Sequence, residues 1–160
     1  MTHDYKRHGT TTLFAALDVV TGKVIGECVP RHRNTAFVRF LRRIDREVPK
    51  GLVVHIICDN DGTHGHPNVV AWLAKHPRFH LHFTPTSSSW LNLVEHWFRN
   101  LTDKAIRRGV FASLPDLVAA IESYLNANNN DPTPFVWTAT AEQILEKVRR
   151  GRVTLNTITK

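Results

Sequence analysis

Two acids, Asp59 and Glu95, have the settings that chemistry on a phosphate ester requires. Asp59 ends the apolar run "LVVHIIC" and is followed at once by Asn60, Asp61 and Gly62. In α/β proteins the loops beyond the carboxyl ends of strands carry side chains out of a rigid scaffold, and Gly62 lets the backbone turn sharply there. Glu95 lies in "SWLNLVEHWF", with 35 residues, 60–94, separating the two acids. It falls one helical turn after Leu91, on the flank of an apolar stripe that includes Val94 and Phe98. A carboxylate beside a buried face needs a partner, and a divalent cation shared with Asp59 would supply one. Carboxylates that hold two such ions about 3.5–4 Å apart activate a water or a 3′-hydroxyl and stabilise the leaving oxygen of a phosphodiester. Each acid also has a plainer reading. Asp-Asn-Asp-Gly is ordinary turn chemistry, and Arg99 stands at i+4 from Glu95 as an ion-pair partner.

The elements that must position these acids can be read from periodicity. "TTLFAALDVV" and "KVIGECV" are short β-rich runs around Thr21 and Gly22, the pattern of an antiparallel hairpin. "NTAFVRFLRRIDREVP" places Phe37, Phe40, Leu41, Ile44 and Val48 on one helical face, with Asn34 as the expected cap and Pro49 as the stop. "LVVHIIC" reads as a central strand covered on both sides. Pro67 opens a helix that Pro77 closes, and "FHLHF" alternates as a strand with Phe79, Leu81 and Phe83 toward the core. Beyond the polar hinge "TPTSSS" comes a helix through Glu95. Ser113 to Asp116 form a capping box for a helix to about Asn128, "NNNDPTPFVW" is loop-like, and "TAEQILEKVRR" is a last short helix. The order predicts one α/β domain with a mixed sheet flanked by helices over residues 1–150, followed by a tail at 151–160.

Composition narrows the partners. With 160 residues and 42% hydrophobic content the chain can build one substantial core. Its apolar runs fall well short of the roughly 20 residues of a membrane span, and "MTHDYKRHGT" has no secretory h-region, so a cytoplasmic protein with no membrane partner is expected. The net charge is +7, and residues 1–50 hold 10 Lys and Arg against 5 Asp and Glu. That bias favours a polyanion, because each phosphate contact releases counterions. Arg39, Arg42, Arg43 and Arg46 share the outer face of the first helix, as a phosphate-contacting patch or a solvated surface. Cys28 and Cys58 sit in apolar strands without metal or redox spacing. The pairs His64-x-His66 and His80-x-His82 raise zinc as a minor alternative, since i, i+2 histidines on a strand share a face. His64, just beyond Asp59, is placed to touch DNA or a metal's water. Trp90 and Trp97 fit core packing better than base stacking.

"CDNDGTHGHP", "HPRFHLHFTPTSSSWLNLVEHWF", "RRGVFASLPDLVAAIESYL" and "PFVWTATAEQIL" occur in an order that resembles the catalytic domain of bacterial insertion-sequence transposases of the mariner-like superfamily, in the six-thirty group. The resemblance runs over about residues 1–150. It implies an RNase H-like fold and an Asp-Asp-Glu triad that cuts and joins DNA with Mg²⁺ or Mn²⁺. It makes Asp59 the second acid and Glu95 the third, with Asn60, Gly62, Thr63 and His64 around the former and Trp90, Asn92 and Trp97 around the latter. Asp61 replaces the family's usual Tyr, and Gly65 its usual Lys. In such proteins the first acid lies on the opening strand of the sheet, and Met1 corresponds to a point after that strand. The expectation is therefore an amino-terminally truncated domain, missing the first strand and the helix-turn-helix region, and impaired alone for lack of the first catalytic Asp. Asp18, in "FAALDVVTG", is a stand-in ligand of low standing, because Asp before Thr-Gly is turn chemistry. The implied partners are transposon-end and target DNA, with a full-length transposase or a second copy of the chain. The competing expectation is a non-catalytic module, a remnant or inhibitor that binds DNA or transposase without cutting.

Overall fold

The computed structural model describes residues 9–59, 62–84 and 93–134, together with 136, 140, 142, 143, 145, 146 and 149. Strands β1 (Thr12–Leu17) and β2 (Val24–Val29) form the expected antiparallel hairpin, with Thr12 opposite Val29 and Leu17 opposite Val24. Helix α1 (Asn34–Glu47) follows, then β3 (Val54–Cys58), α2 (Pro67–Ala74) and β4 (Phe79–Phe83), with β3 and β4 parallel. Helix α3 (Leu93–Leu101) runs into a π-helical turn at Thr102–Ile106, and α4 (Leu114–Asn130) comes last among the continuous elements. Residues 151–160, expected as a tail, lie outside the described residues.

Alternation along the hairpin decides the layering. Phe14, Ala16, Ile25 and Val29 point to one side, into a core with Phe37, Val38, Phe40, Leu41 and Ile44 of α1, Val69 and Trp72 of α2, and Phe79 of β4. Leu13, Ala15, Leu17, Val24 and Cys28 point to the other, onto Trp97, Leu101, Ile121 and Leu125 of α3 and α4. Leu41 and Val69 are wholly buried, each contributing about 2 kcal/mol by removal from water. The hairpin is thus the middle layer between two helical layers.

Several local expectations need correction. The mixed sheet is divided, among the described residues, into two pairs, β1–β2 and β3–β4. Strand β3 is not covered on both sides: Val54, Ile56 and Cys58 face the core, whereas Ile57 is 60% exposed and His55 is exposed. Phe83 is 45% exposed rather than core-facing, although Cys58 opposite it is buried. The residue flanking α1 at its start is Arg33, without a side-chain cap, and Asn34 is already helical. The Asn34 side chain instead accepts from Asn68 Nδ2 at 3.3 Å, joining the first turns of α1 and α2.

The capping of α4 by Ser113 is as expected, its hydroxyl accepting from Asp116 N at 3.3 Å. The helix nevertheless continues through Asn128, Asn129 and Asn130, which composition had assigned to a loop. Asn129 explains the extension. Its amide receives the Val24 N–H and donates to the Val24 carbonyl, both at 2.8 Å, copying the pairing of a neighbouring strand. Asn128 accepts from Trp97 Nε1 at 3.2 Å and donates to the Gly22 carbonyl at 3.1 Å. Gly22 itself has φ of 75°, and a Cβ there would run into the Thr133 and Pro134 backbone. Farther on, residues 142, 143, 145, 146 and 149 are helical, and Thr140 and Gln143 exchange capping hydrogen bonds.

Candidate active site

Asp59 follows β3 directly, at its carboxyl end, with 57% of its side chain exposed. His64 Nδ1 lies 2.9 Å from Asp59 Oδ1 and 3.0 Å from the Asp59 carbonyl oxygen. Both partners are oxygens that accept, so Nδ1 carries the proton and donates to them. The imidazole is itself fixed, only 12% exposed, with its ring 4.5 Å from the Phe37 ring of α1. His64 thus ties the loop after β3 to the core beneath it. The turn at 62–65 then delivers His66, whose Nδ1 accepts from Asn68 N at 3.2 Å and starts α2.

Beside this turn lies an open depression of about 470 Å³, lined by Arg33, Asn34, Thr35, Gly62, Thr63 and His66. A second, of about 330 Å³, shares Arg33 and Thr35 with it and adds Arg31 and Arg39. Arg31 and Arg33 were missed by periodicity because they sit in the "PRHRN" connection, which has none. Their signal was simple charge density after a strand. Of the four arginines expected on α1, Arg39 pairs with Glu27 at 2.8 Å. Arg43 pairs with Glu47 at 2.8 Å and donates to the Gly26 carbonyl at 2.7 Å, pinning α1 to β2. Arg42 and Arg46 are exposed.

Glu95 occupies the first turn of α3 and is exposed. It stands at the edge of the face that packs on the hairpin: Trp97 and Leu101 are buried, Phe98 and Ala105 pack against the same core, and the Glu95 side chain itself is exposed. Trp97 is core, 6% exposed, as its spacing indicated. Asp18 is committed to the hairpin turn. Its Oδ1 accepts from Val20 N at 2.9 Å and its Oδ2 from the Thr21 hydroxyl at 2.7 Å. Partial burial raises its pKa, but those hydrogen bonds with nearby Lys23 outweigh it and leave the carboxyl below its ordinary value. Asn60, Asp61, Trp90, Leu91 and Asn92 lie outside the described residues.

Burial, with the Asp59 charge adding to it, pushes the Cys58 thiol up to about 11, which keeps it protonated and unreactive at neutral pH. Among the described residues, no three or more His, Cys, Asp or Glu side chains are arranged to hold a metal ion. Asp59 and Glu95 suit one in kind, since exposed carboxylate oxygens are the donors that hard divalent cations take. They amount to two donors, and a complete shell needs others.

The model of the DDE superfamily endonuclease family matches residues 2–118, most of the chain and both acids. The chain belongs to the DDE superfamily. A Shigella sonnei protein described as "Insertion element IS630 uncharacterized 39 kDa protein" is 27% identical over 115 residues, covering 71% of this chain and 33% of that protein. The chain therefore spans about a third of the length of this relative. In structure it is similar to the catalytic core domain of BIV integrase, with a TM-score of 0.57, 15% identity, and coverage of 92% of this chain and 93% of that one. This DDE superfamily member thus has the RNase H-like α/β fold of an integrase core. No described helix is long and apolar enough to cross a membrane.

Proposed function

We propose that the chain is catalytic-domain material of an insertion-sequence transposase, cutting and joining DNA with Asp59 and Glu95 as ligands of Mg²⁺ or Mn²⁺. The observation that carries this reading is Asp59: an exposed carboxylate at the carboxyl end of β3, held in place by His64, in a DDE superfamily chain. When bound, the divalent ions supply Lewis-acid activation at the phosphodiester.

The chain's own residues orient and bind. His64 restrains Asp59 through Nδ1, limiting the rotamers that the carboxylate must give up when it is engaged. Arg33 lines the depression beside the Gly62–Thr63 turn, and Arg31 the adjoining one, where a strand's phosphates would approach Asp59. Glu95 presents its carboxylate from α3.

The test is nicking of a supercoiled plasmid with Mg²⁺ or Mn²⁺, together with Mn²⁺ titration of the protein. Asp59→Asn and Glu95→Gln are each expected to weaken Mn²⁺ binding about tenfold or more and to remove any nicking. Mn²⁺ binding that is indifferent to both substitutions overturns the reading. A second reading, a module that binds DNA or transposase without cutting, is favoured by the Asp18 carboxylate being engaged in the turn, which leaves two of the singled-out acids for metal. DNA binding without nicking under any metal, and with no Mn²⁺ site at the two acids, would establish that module.

A further inference from the structure

His55, His80 and His82 occupy the exposed face of β3–β4, opposite the side that packs on α1 and α2. Parallel register sets His55 beside His80, and His82 lies one pleat farther along the same face. His55 Nδ1 and His82 Nε2 are 3.0 Å apart. The His55 ring is stacked on His80, with centroids 5.1 Å apart and planes 23° from parallel. The face also carries the exposed Val53 and Ile57, so these imidazoles project from an apolar strip. The proposed active-site chemistry uses none of them.

We infer that His55 and His82 form a chelating site for a borderline transition-metal cation of the Zn²⁺, Ni²⁺ or Cu²⁺ type. Imidazole nitrogens are the donors such ions prefer, whereas Mg²⁺ prefers oxygen. Two nitrogens on a tetrahedral zinc, each about 2.0–2.1 Å from the ion, stand about 3.3 Å apart. The observed 3.0 Å lies within a small rotamer adjustment of that spacing. Without metal the two nitrogens are joined by one hydrogen bond as donor and acceptor; on binding, the donor ring carries its proton on its other nitrogen instead, so that both facing nitrogens offer lone pairs to the ion. The strands fix the backbone separation, so little ordering remains to be done on binding. Three described donors do not converge as they stand. The two-histidine clamp leaves further positions to water, and His80 reaches it as a third ligand by turning out of its stack in open solvent. Three imidazoles with an open fourth position are an established ligand set for zinc.

The site is separate from Asp59 and Glu95, and the experiment keeps the two apart. The whole chain is titrated calorimetrically with ZnCl₂, and in parallel with Co²⁺ followed by visible absorption. One saturable equivalent is expected, undiminished by Asp59→Asn with Glu95→Gln and undisplaced by excess Mg²⁺. His55→Gln and His82→Gln should each weaken it about tenfold, and His80→Gln about threefold. In the unsubstituted protein, substoichiometric Cu²⁺ should broaden the imidazole NMR signals of His55 and His82 before those of His66 and His76, a readout independent of how any variant folds. Absence of saturable Zn²⁺ binding, binding that survives His55→Gln with His82→Gln, loss with the two acid substitutions, or broadening elsewhere first overturns the inference.

Discussion

At the scale of single residues, Arg78 makes more hydrogen bonds than any other side chain among the described residues. Its guanidinium is 17% exposed and donates from Nε and one terminal nitrogen to Asp45 Oδ1, at 2.9 and 2.7 Å. The same group donates to the backbone carbonyls of Asp45, Val48, Pro49 and Leu52, closing the connection from α1 to β3. Asp45 also receives Lys50 at 2.6 Å. The hydrogen bonds from Lys50 and then Arg78 hold its carboxyl below the ordinary value of 3.8, against the opposing effect of burial. A carboxyl with a lowered folded pKa binds fewer protons folded than unfolded near pH 4. Its stabilisation is therefore complete above the unfolded value and is lost as pH falls through the folded one. Asp45→Asn should cost about 2 kcal/mol at neutral pH, between the values for exposed and fully buried pairs. Urea denaturation at a series of pH values should show the gap between the two proteins closing below about pH 4. A gap independent of pH would show that charge is not what the pair contributes.

At the scale of elements, the join between α4 and the hairpin rests on amides rather than on apolar area alone. Asn129→Ala strands the Val24 N–H and carbonyl in a partly buried place. The expected loss is about 1–3 kcal/mol, read as a fall of several degrees in the thermal midpoint. Asn130→Ala, one residue along and without these bonds, is the control. The same join shows where the sequence could be read and where it could not. Periodicity found the hairpin, α1, α2 and β4, and the Ser113 cap, because each is a local pattern. It took three consecutive asparagines as loop, since nothing local says that a side-chain amide will stand in for a strand. Position 59 at a strand end was legible for a similar reason: an apolar run stopping at an acid and a glycine is a one-dimensional signal. The exposure of Glu95 was not, because a position at the edge of an apolar stripe can be covered or open depending on what packs beside it, and Phe98, Leu101 and Ala105 meet the hairpin with Trp97 while Glu95 stays outside. The His55–His82 pairing was hidden too, being a matter of register between strands 25 residues apart in the chain, His55 to His80.

At the scale of the whole molecule, charge has two separate uses. Arg39 and Arg43 are engaged with Glu27, Glu47 and the Gly26 carbonyl, whereas Arg42 and Arg46 face solvent. The 21 Lys and Arg therefore overstate the cations available to a polyanion. Removing Arg42 and Arg46 together should flatten the log–log salt dependence of DNA binding by up to about 2, near 0.9 for each phosphate that is no longer neutralised. Removing Arg43 should instead lower stability, with little change in that slope. Filter binding across a salt series, with melting curves alongside, separates the two effects.

The layered arrangement has one further consequence. Asp59 is anchored through His64 and Phe37 to the core on one side of the hairpin, while Glu95 rides on α3, which belongs to the core on the other side. The two elements that carry the acids consequently pack on opposite faces of a spacer that bears neither of them. Thickening that spacer at Gly26, where a methyl group would press on Leu125, would displace the helical layer that bears Glu95 without touching the residues that hold Asp59.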